Sequence, residues 1–229
     1  MLWGQRRCPL MQRLSLRVAV EEERVYFDAT DARIEGLLSL DKRSPRGAVI
    51  ICHPHPLFGG DMHNNVVVAL ARIAGMWDFT SLRFNFRGVG GSSGTFGGGI
   101  SEQKDVRGAV EFLVKGRKPA VILTAGYSFG AIACLPVGVV DEQVMGLIGV
   151  APPLEMFDFG FLRDCPKPKL FICGEQDTIC PPSKMEEFFQ TLSDPKWLRV
   201  LPGIDHFFHG KRGLLEGAVG DFLERMAQP

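Results

Sequence analysis

The run G-Y-S-F-G places Ser128 between Gly126 and Gly130 in the stretch ILTAGYSFGAIAC. An apolar run precedes the serine, and small and apolar residues follow it, which predicts a sharp turn between a buried strand and a helix. Such a turn strains the serine so that its hydroxyl protrudes, and the glycines let strand and helix approach closely. The pattern predicts Ser128 as a nucleophile, with the N–H of Phe129 at the helix N-terminus available to a developing negative charge.

A histidine further along the chain supplies the base that a serine nucleophile needs. A serine hydroxyl is a poor nucleophile near neutral pH, so it requires a base that an acid orients. If the order along the chain is serine, acid and histidine, the base must follow the last apolar run. His206, directly after WLRVLPGID, is therefore predicted as the base. His209, in FFHGKRG, is expected at a helix start or on the surface.

The acid is predicted at Asp177, in the stretch KLFICGEQDTICPP. Asp177 lies just past the end of a strand-like run, in a turn that two prolines close and whose direction they fix. Glu175 and Asp205 are the alternatives, but Asp205 adjoins His206, and neighbouring residues rarely orient each other's rings. A helix-capping role is the alternative function for Asp177 itself.

A second N–H group for an oxyanion is expected from the loop CHPHPLFGGDMHNN, which follows the first run predicted as a parallel strand. Pro54 and Pro56 have no N–H to give, so the donor must be His55, Leu57 or Phe58. Of these three, Leu57 is the prediction.

The histidines of this loop and the glycine-rich segment after it invite two further readings. His53, His55 and His63 lie close in sequence, but no carboxylate or thiol completes a recognisable metal-ligand spacing, so we expect no metal and a bracing role through hydrogen bonds. The segment RGVGGSSGTFGGG, residues 87–99, lacks the G-K-[ST] ending of a phosphate-binding loop, so no cofactor is expected. Arg87 is predicted to tie this segment structurally, with substrate contact as the alternative.

Composition limits the classes of partner. The chain has 229 residues, 45% of them hydrophobic, and its 26 basic and 26 acidic side chains cancel. This balance provides no electrostatic footprint for nucleic acid or for an acidic membrane surface, and it favours a small-molecule substrate. The six cysteines form no C-x-x-C pair, which favours a reducing compartment. No run reaches the length of a membrane span and the first residues do not resemble a signal peptide, so we expect a cytoplasmic protein.

Strand-like and helix-like patterns alternate along the chain. Two antiparallel strands are predicted around a turn at Thr30 and Asp31, at residues 24–29 and 32–40. Six apolar runs indicate strands buried on both faces: 47–53, 79–86, 120–126, 144–151, 169–174 and 197–203. Helical spacing marks residues 61–74, 101–115, 181–192 and 213–226, with Ser101 as a predicted N-cap. The alternation predicts one α/β domain, residues 24–229, with a mostly parallel twisted sheet of about eight strands and helices on both faces. Residues 1–23 are expected to form a partly loose N-terminal extension.

Several motifs together resemble a known family. The set HPHPLFGG, LRFNFRGVGGSSG, GYSFGA, APP, GEQD and PGIDHFFHG resembles the small, cap-poor α/β-hydrolase group of bacterial serine esterase-like proteins, related to the dienelactone hydrolase branch. The similarity runs from about residue 24 to the end. It implies an α/β-hydrolase fold with a minimal lid or none, and a triad of Ser128, Asp177 and His206. Dienelactone hydrolases use a cysteine where this chain has Ser128, so dienelactone is not the expected substrate.

The expected activity is cleavage of small to medium carboxylic esters through an acyl-enzyme intermediate. The position of a lid in related folds holds only residues 152–168, which predicts an open site. An apolar acyl pocket is predicted from side chains of this segment and of neighbouring loops: Met156, Phe157, Phe159, Phe161, Phe58 and Phe96. Plain core packing is the alternative for these aromatics. The alternative functions are a thioesterase, an acyltransferase or a non-catalytic binding module, in a monomer or a homodimer.

Overall fold

The computed structural model describes residues 21–40, 45–209 and 213–228. Within them lie eight strands: β1 Glu21–Ala29, β2 Ala32–Leu40, β3 Gly47–Cys52, β4 Phe79–Phe84, β5 Ile122–Tyr127, β6 Val144–Val150, β7 Lys169–Gly174 and β8 Lys196–Leu201. They form one sheet in the order β1-β2-β4-β3-β5-β6-β7-β8. The pairs β1–β2 and β2–β4 are antiparallel, and the other pairs are parallel. The predicted mostly parallel sheet of about eight strands is therefore confirmed.

Five α-helices accompany these strands in the described part of the chain: α1 Asn65–Met76, α2 Glu102–Gly116, α3 Phe129–Val140, α4 Pro182–Gln190 and α5 Gly213–Met226. The connection β3–α1–β4 runs to one side of β3, whereas β4–α2–β5 runs back to its other side. Because such crossovers are right-handed, α1 and α2 lie on opposite faces of the sheet. Helix α5 packs on α1, and α3 packs on α2, so both faces are covered.

The central strands are apolar because helices cover them on both sides. Every residue of β3, β4, β5 and β7 is buried, as expected for parallel strands between two helical layers. The edge strand β8 is mostly half-exposed. Five free cysteines are buried in this core, and Cys8 lies outside the described residues. Among the described residues, no helix has the length and apolar character that a membrane span requires.

Two predictions about the chain's early elements need correction. Residues 21–23, assigned to the N-terminal extension, belong to β1, where they pair with the last residues of β2. The rest of that extension, residues 1–20, lies outside the described residues. Ser101 does not cap α2, because its backbone is already helical, with φ −67° and ψ −33°, and its side chain makes no capping bond. Instead, the buried carboxylate of Glu102 accepts the N–H groups of Gly97 and Gly99, each at 2.7 Å.

Candidate active site

Ser128 occupies the turn between β5 and α3, and the backbone there explains the two glycines. Ser128 has φ +52° and ψ −118°, a strained conformation for a residue with a side chain. A Cβ on Gly126 would lie 2.4 Å from the N of Ala131, and a Cβ on Gly130 would lie 2.3 Å from the carbonyl O of Cys52. Only glycine fits at either position, which is what lets α3 approach the ends of β3 and β5.

The structure brings Asp177 and His206 together with Ser128, although the three are far apart in sequence. His206 Nδ1 lies 2.9 and 3.0 Å from the two carboxylate oxygens of Asp177, and His206 Nε2 lies 3.0 Å from Ser128 Oγ. The Asp177 and His206 side chains are buried. A neutral ring that donates from Nδ1 to the carboxylate has an unprotonated Nε2, which can accept the serine proton.

The direction of the Asp177 carboxylate is fixed by its own turn. Its Oδ1 accepts the N–H groups of Ile179 at 2.9 Å and Cys180 at 2.7 Å. The alternative acids are engaged elsewhere: Glu175 accepts the N–H of Gly203 at 2.8 Å, and Asp205 pairs with the exposed His209 at 2.9 Å. Asp177 therefore both caps its turn and contacts the histidine.

The loop after β3 corrects the prediction of Leu57 as an oxyanion donor. The N–H of Leu57 donates to His55 Nδ1 at 3.2 Å, and the N–H of Phe58 donates to the carbonyl O of His55 at 3.1 Å. Both bonds belong to a single 3₁₀ turn, Pro56–Phe58, that the His55 side chain caps. Burial lowers the pKa of His55, which favours the neutral ring that this bond requires.

His55 is the member of the three candidates whose N–H remains available. Among the hydrogen bonds of the described residues, none uses the backbone N–H of His55 or of Phe129. The rings of these two residues lie against each other, with centroids 4.9 Å apart. Two free N–H groups on adjacent segments beside Ser128 are the arrangement that an oxyanion requires.

The predicted pocket residues separate into two groups. A cavity of about 470 Å³ lies along α3, and Phe157, Phe159 and Phe161 line it. Phe58 and Met156 do not line this cavity, because their side chains point into solvent with exposures of 86% and 70%. The prediction of these two as pocket residues is therefore not supported at this cavity. Phe96 does not line it either, and its ring packs against His55 and Phe129 with centroids 5.1 and 5.6 Å apart.

His53 braces the loop, as predicted. Its Nε2 accepts the N–H of Phe86 at 3.0 Å, and its Nδ1 lies 2.7 Å from the carbonyl O of Pro54, to which it donates. Burial lowers the pKa of His53 to about 4, so the ring is neutral and joins the ends of β3 and β4. In the described parts of the chain, no group of three or more His, Cys, Asp or Glu side chains is arranged to hold a metal ion.

Arg87 attaches the glycine-rich segment to neighbouring parts of the protein, also as predicted. Its guanidinium donates to both oxygens of the buried Asp105, with a shortest distance of 2.7 Å, and to Asp31 at 3.1 Å. The backbone N–H of Arg87 donates to Asp105 at 2.9 Å as well. All of these contacts are made within the protein, which indicates that Arg87 has a structural role.

Tyr127 is a site residue that the sequence reasoning missed. Its hydroxyl donates to the carbonyl O of His206 at 2.7 Å, and its ring lies 5.7 Å from the imidazole, centroid to centroid. Burial raises the pKa of Tyr127, so the phenol stays protonated and remains a donor. The sequence signal that could have identified it was a tyrosine at the end of a predicted buried strand. A buried phenol needs a hydrogen-bond partner, so such a tyrosine is expected to contact a neighbouring loop.

The sheet, its helices and the serine at a strand–helix turn define the class: the chain belongs to the α/β-hydrolase superfamily. It is 31% identical over 208 residues to the uncharacterized protein RP471 of Rickettsia prowazekii, covering 87% of each chain. No protein-family model matches it.

Two solved structures that are more than 30% identical to the chain are α/β serine hydrolases. An α/β serine hydrolase homologue from Coxiella burnetii is 33% identical with a TM-score of 0.83, covering 91% of this chain and 100% of that one. XC6422 from Xanthomonas campestris, an α/β serine hydrolase without a lid, is 33% identical with a TM-score of 0.82, covering 91% and 96%. The resemblance drawn from the motifs is thereby confirmed.

Proposed function

We propose that this chain is a serine hydrolase that cleaves small to medium carboxylic esters through an acyl-enzyme on Ser128. The observation that carries the proposal is the imidazole of His206, which bridges the Asp177 carboxylate and the Ser128 hydroxyl at 2.9 and 3.0 Å. Base, acid and nucleophile are thus within hydrogen-bond reach without any movement of the chain.

The first half of the reaction forms the acyl-enzyme. His206 Nε2 takes the proton of Ser128 as the oxygen attacks the ester carbonyl, and Asp177 stabilises the imidazolium. When the tetrahedral intermediate collapses, the bond to the alcohol oxygen breaks and the alcohol leaves with the proton from Nε2. An ester between the acyl group and Ser128 Oγ remains.

Water completes the cycle by the same route. His206 Nε2 removes a proton from the water as its oxygen attacks the acyl carbon, and the proton then returns to Ser128 as the carboxylic acid departs. In both halves, the N–H groups of Phe129 and His55 hold the oxyanion, each contributing about 3 kcal/mol to barrier lowering.

Tyr127 acts through His206 in this mechanism. Its hydroxyl holds the carbonyl O of His206, so the backbone that carries the base is attached to the residue before the nucleophile. We assign Tyr127 as a positioning residue.

Hydrolysis of p-nitrophenyl acetate and butyrate tests the proposal. We expect turnover by the wild type and a loss of at least about a thousandfold in kcat for Ser128→Ala. Ser183→Ala, at an exposed serine of α4, is the matched control and should retain full activity. Turnover that survives in Ser128→Ala, or a folded wild type that cleaves neither ester, contradicts the proposal. Parallel assays with acyl-CoA thioesters determine whether oxygen esters are the preferred class.

A further inference from the structure

The side chain and the carbonyl of His55 determine which N–H groups remain free in the loop after β3. His55 Nδ1 accepts the N–H of Leu57 at 3.2 Å, as an N-cap side chain accepts from the second residue of a helix. The carbonyl O of His55 accepts the N–H groups of Phe58 and Gly60 at 3.1 and 3.0 Å. Three N–H groups of the loop are consumed in this way, and the N–H of His55 itself is left for another acceptor.

The bond to Leu57 also fixes the tautomer of His55. A neutral imidazole has one donor and one acceptor nitrogen, so an Nδ1 that accepts leaves the ring proton on Nε2. The ring is half-buried, and burial lowers its pKa, while the carboxylate of Glu102 in α2 acts in the opposite direction. Burial is the larger influence, and it favours the neutral form, which is the only form that can accept the Leu57 N–H.

The peptide group between Pro54 and His55 is held from its carbonyl side as well. The Nδ1–H of His53 donates to the carbonyl O of Pro54 at 2.7 Å. A trans peptide is planar, with its C=O and N–H pointing in opposite directions, so a fixed carbonyl also fixes the direction of the His55 N–H. Two imidazoles therefore hold this one peptide group: His53 at its carbonyl, and His55 through the turn that follows it.

Three phenylalanine rings surround the imidazole of His55. The ring centroids of Phe58, Phe129 and Phe96 lie 4.7, 4.9 and 5.1 Å from that of the imidazole. Phe96 also contacts Phe129, at 5.6 Å between centroids. His55 and Phe129 are the two residues whose N–H groups are free beside Ser128, so these ring contacts join both oxyanion donors.

We propose that the imidazole of His55 is a positioning residue for the oxyanion hole. By capping the turn after it and packing on the ring of Phe129, it holds its own N–H and that of Phe129 at a fixed separation. Protonation of His55 makes Nδ1 a donor, which breaks the bond to Leu57 and releases the turn. The inference rests on the proposed hydrolase function, and it adds a side chain that acts on the reaction through the backbone.

Two substitutions separate the two nitrogens of the ring. In His55→Asn, Oδ1 takes the place of Nδ1 and can accept the Leu57 N–H, whereas in His55→Gln the polar atoms take the place of Nε2 and cannot. Both variants keep the backbone N–H of residue 55. With p-nitrophenyl acetate, we expect His55→Gln to lose about a hundredfold in kcat with little change in KM, the effect of losing one oxyanion donor. His55→Asn should stay within about fivefold of the wild type.

The exposed His63 of the same segment provides the matched control, since His63→Gln should retain full activity. Equal losses in His55→Asn and His55→Gln would contradict the capping role. So would activity retained in His55→Gln, because that result would assign the function of the ring to Nε2 or to none of its atoms.

The pH dependence of kcat/KM gives a second arm, on the wild type and His55→Asn. Protonation of His206 removes the base and protonation of His55 removes the cap, so two protonations lower the activity of the wild type as the pH falls. At the acid end, the wild type should lose about a hundredfold per pH unit and His55→Asn about tenfold. His53 is present in both proteins, so its titration cancels in the comparison. The same slope in both proteins would contradict the proposal.

Phosphonylation separates failure of the positioning role from failure of the esterase. A fluorophosphonate reacts with Ser128 through an oxyanion that needs the same N–H groups but no ester turnover. If the wild type cleaves no ester and His55→Asn is labelled at least about tenfold faster than His55→Gln, the esterase fails and the positioning role stands. If esters are cleaved and the two variants are labelled at equal rates, the positioning role fails and the esterase stands.

Discussion

Two glycine-containing segments lie at the site, one carrying Ser128 and one beside it, and they are held in different ways. The serine turn, residues 126–130, is fixed by close contact of backbones, since a Cβ on Gly130 would lie 2.3 Å from a carbonyl O of β3. The glycine-rich loop, residues 87–99, is fixed by buried charges: Asp105 holds Arg87, and Glu102 holds two N–H groups of the loop.

This difference separates the functions of the two segments. The serine turn positions the nucleophile, and steric contact does so without any polar group competing for the reacting atoms. The loop forms a wall of the cavity, and charge can hold its backbone while leaving its surface apolar. A change of size should therefore damage the turn, and a change of charge should damage the loop.

The largest expected effect comes from a charge change at the loop. Asp105→Asn leaves the buried guanidinium of Arg87 with only the half-exposed Asp31, and should lower the free energy of unfolding by about 4 kcal/mol. Urea unfolding measures the loss. Lys104→Gln, which removes the exposed pair with Asp31, should change stability by less than about 1 kcal/mol. Equal effects of the two variants would show that the buried pair is not what holds the loop.

The second largest effect is expected from a larger side chain in the serine turn. Gly130→Ala forces α3 away from β3 and should cost about 3 kcal/mol of stability, with a fall in kcat because the Phe129 N–H moves with the helix. Gly217→Ala in α5, where a Cβ would meet nothing within 4 Å, should instead stabilise the protein by about 1 kcal/mol. An active, fully stable Gly130→Ala protein would remove the steric explanation of the turn.

The neutral His53, between the two segments, should make stability depend on pH. Its pKa of about 4 in the folded protein is below that of a free histidine, so the unfolded chain binds the proton first as the pH falls. Stability is then complete above about pH 6.5 and is lost toward pH 4, by about 2 kcal/mol between pH 7 and pH 5. His53→Gln should lose that much less over the same interval in urea unfolding. Parallel losses in both proteins would assign the acid sensitivity to other groups.

Tyr127→Phe gives the smallest effect, because it removes one hydrogen bond from the serine turn. Loss of the bond to the His206 carbonyl should lower kcat by about fivefold, the equivalent of one hydrogen bond, and leave KM unchanged. Tyr26→Phe, at the chain's other tyrosine, which is 43% exposed, is the matched control and should be silent. A change in KM alone would place Tyr127 in substrate binding instead of positioning.

The elements and the three central residues could be predicted because each depends on a local pattern. The buried strands appear as continuous apolar runs, and Ser128, Asp177 and His206 each follow such a run directly. Since parallel strands end at one edge of the sheet, the order of the runs was sufficient to place these residues together.

The predictions that were wrong share one cause, which is that they depended on the conformation of loops. The choice of Leu57 over His55 depended on which N–H groups the 3₁₀ turn consumes, and no sequence pattern specifies that turn. Likewise, Ser101 has a suitable side chain for an N-cap, but its backbone is already helical. The outward direction of Phe58 and Met156 depends on the tertiary path of short segments, which hydrophobicity does not encode.

Labelling with a fluorophosphonate probe, read by intact-protein and peptide mass spectrometry, tests most directly whether His206 activates Ser128. We expect a single adduct on Ser128 in the wild type and a labelling rate lower by at least about a thousandfold in His206→Gln. An unlabelled, folded wild type, or a His206→Gln protein labelled at the wild-type rate, would contradict the arrangement of serine, histidine and aspartate proposed for this site.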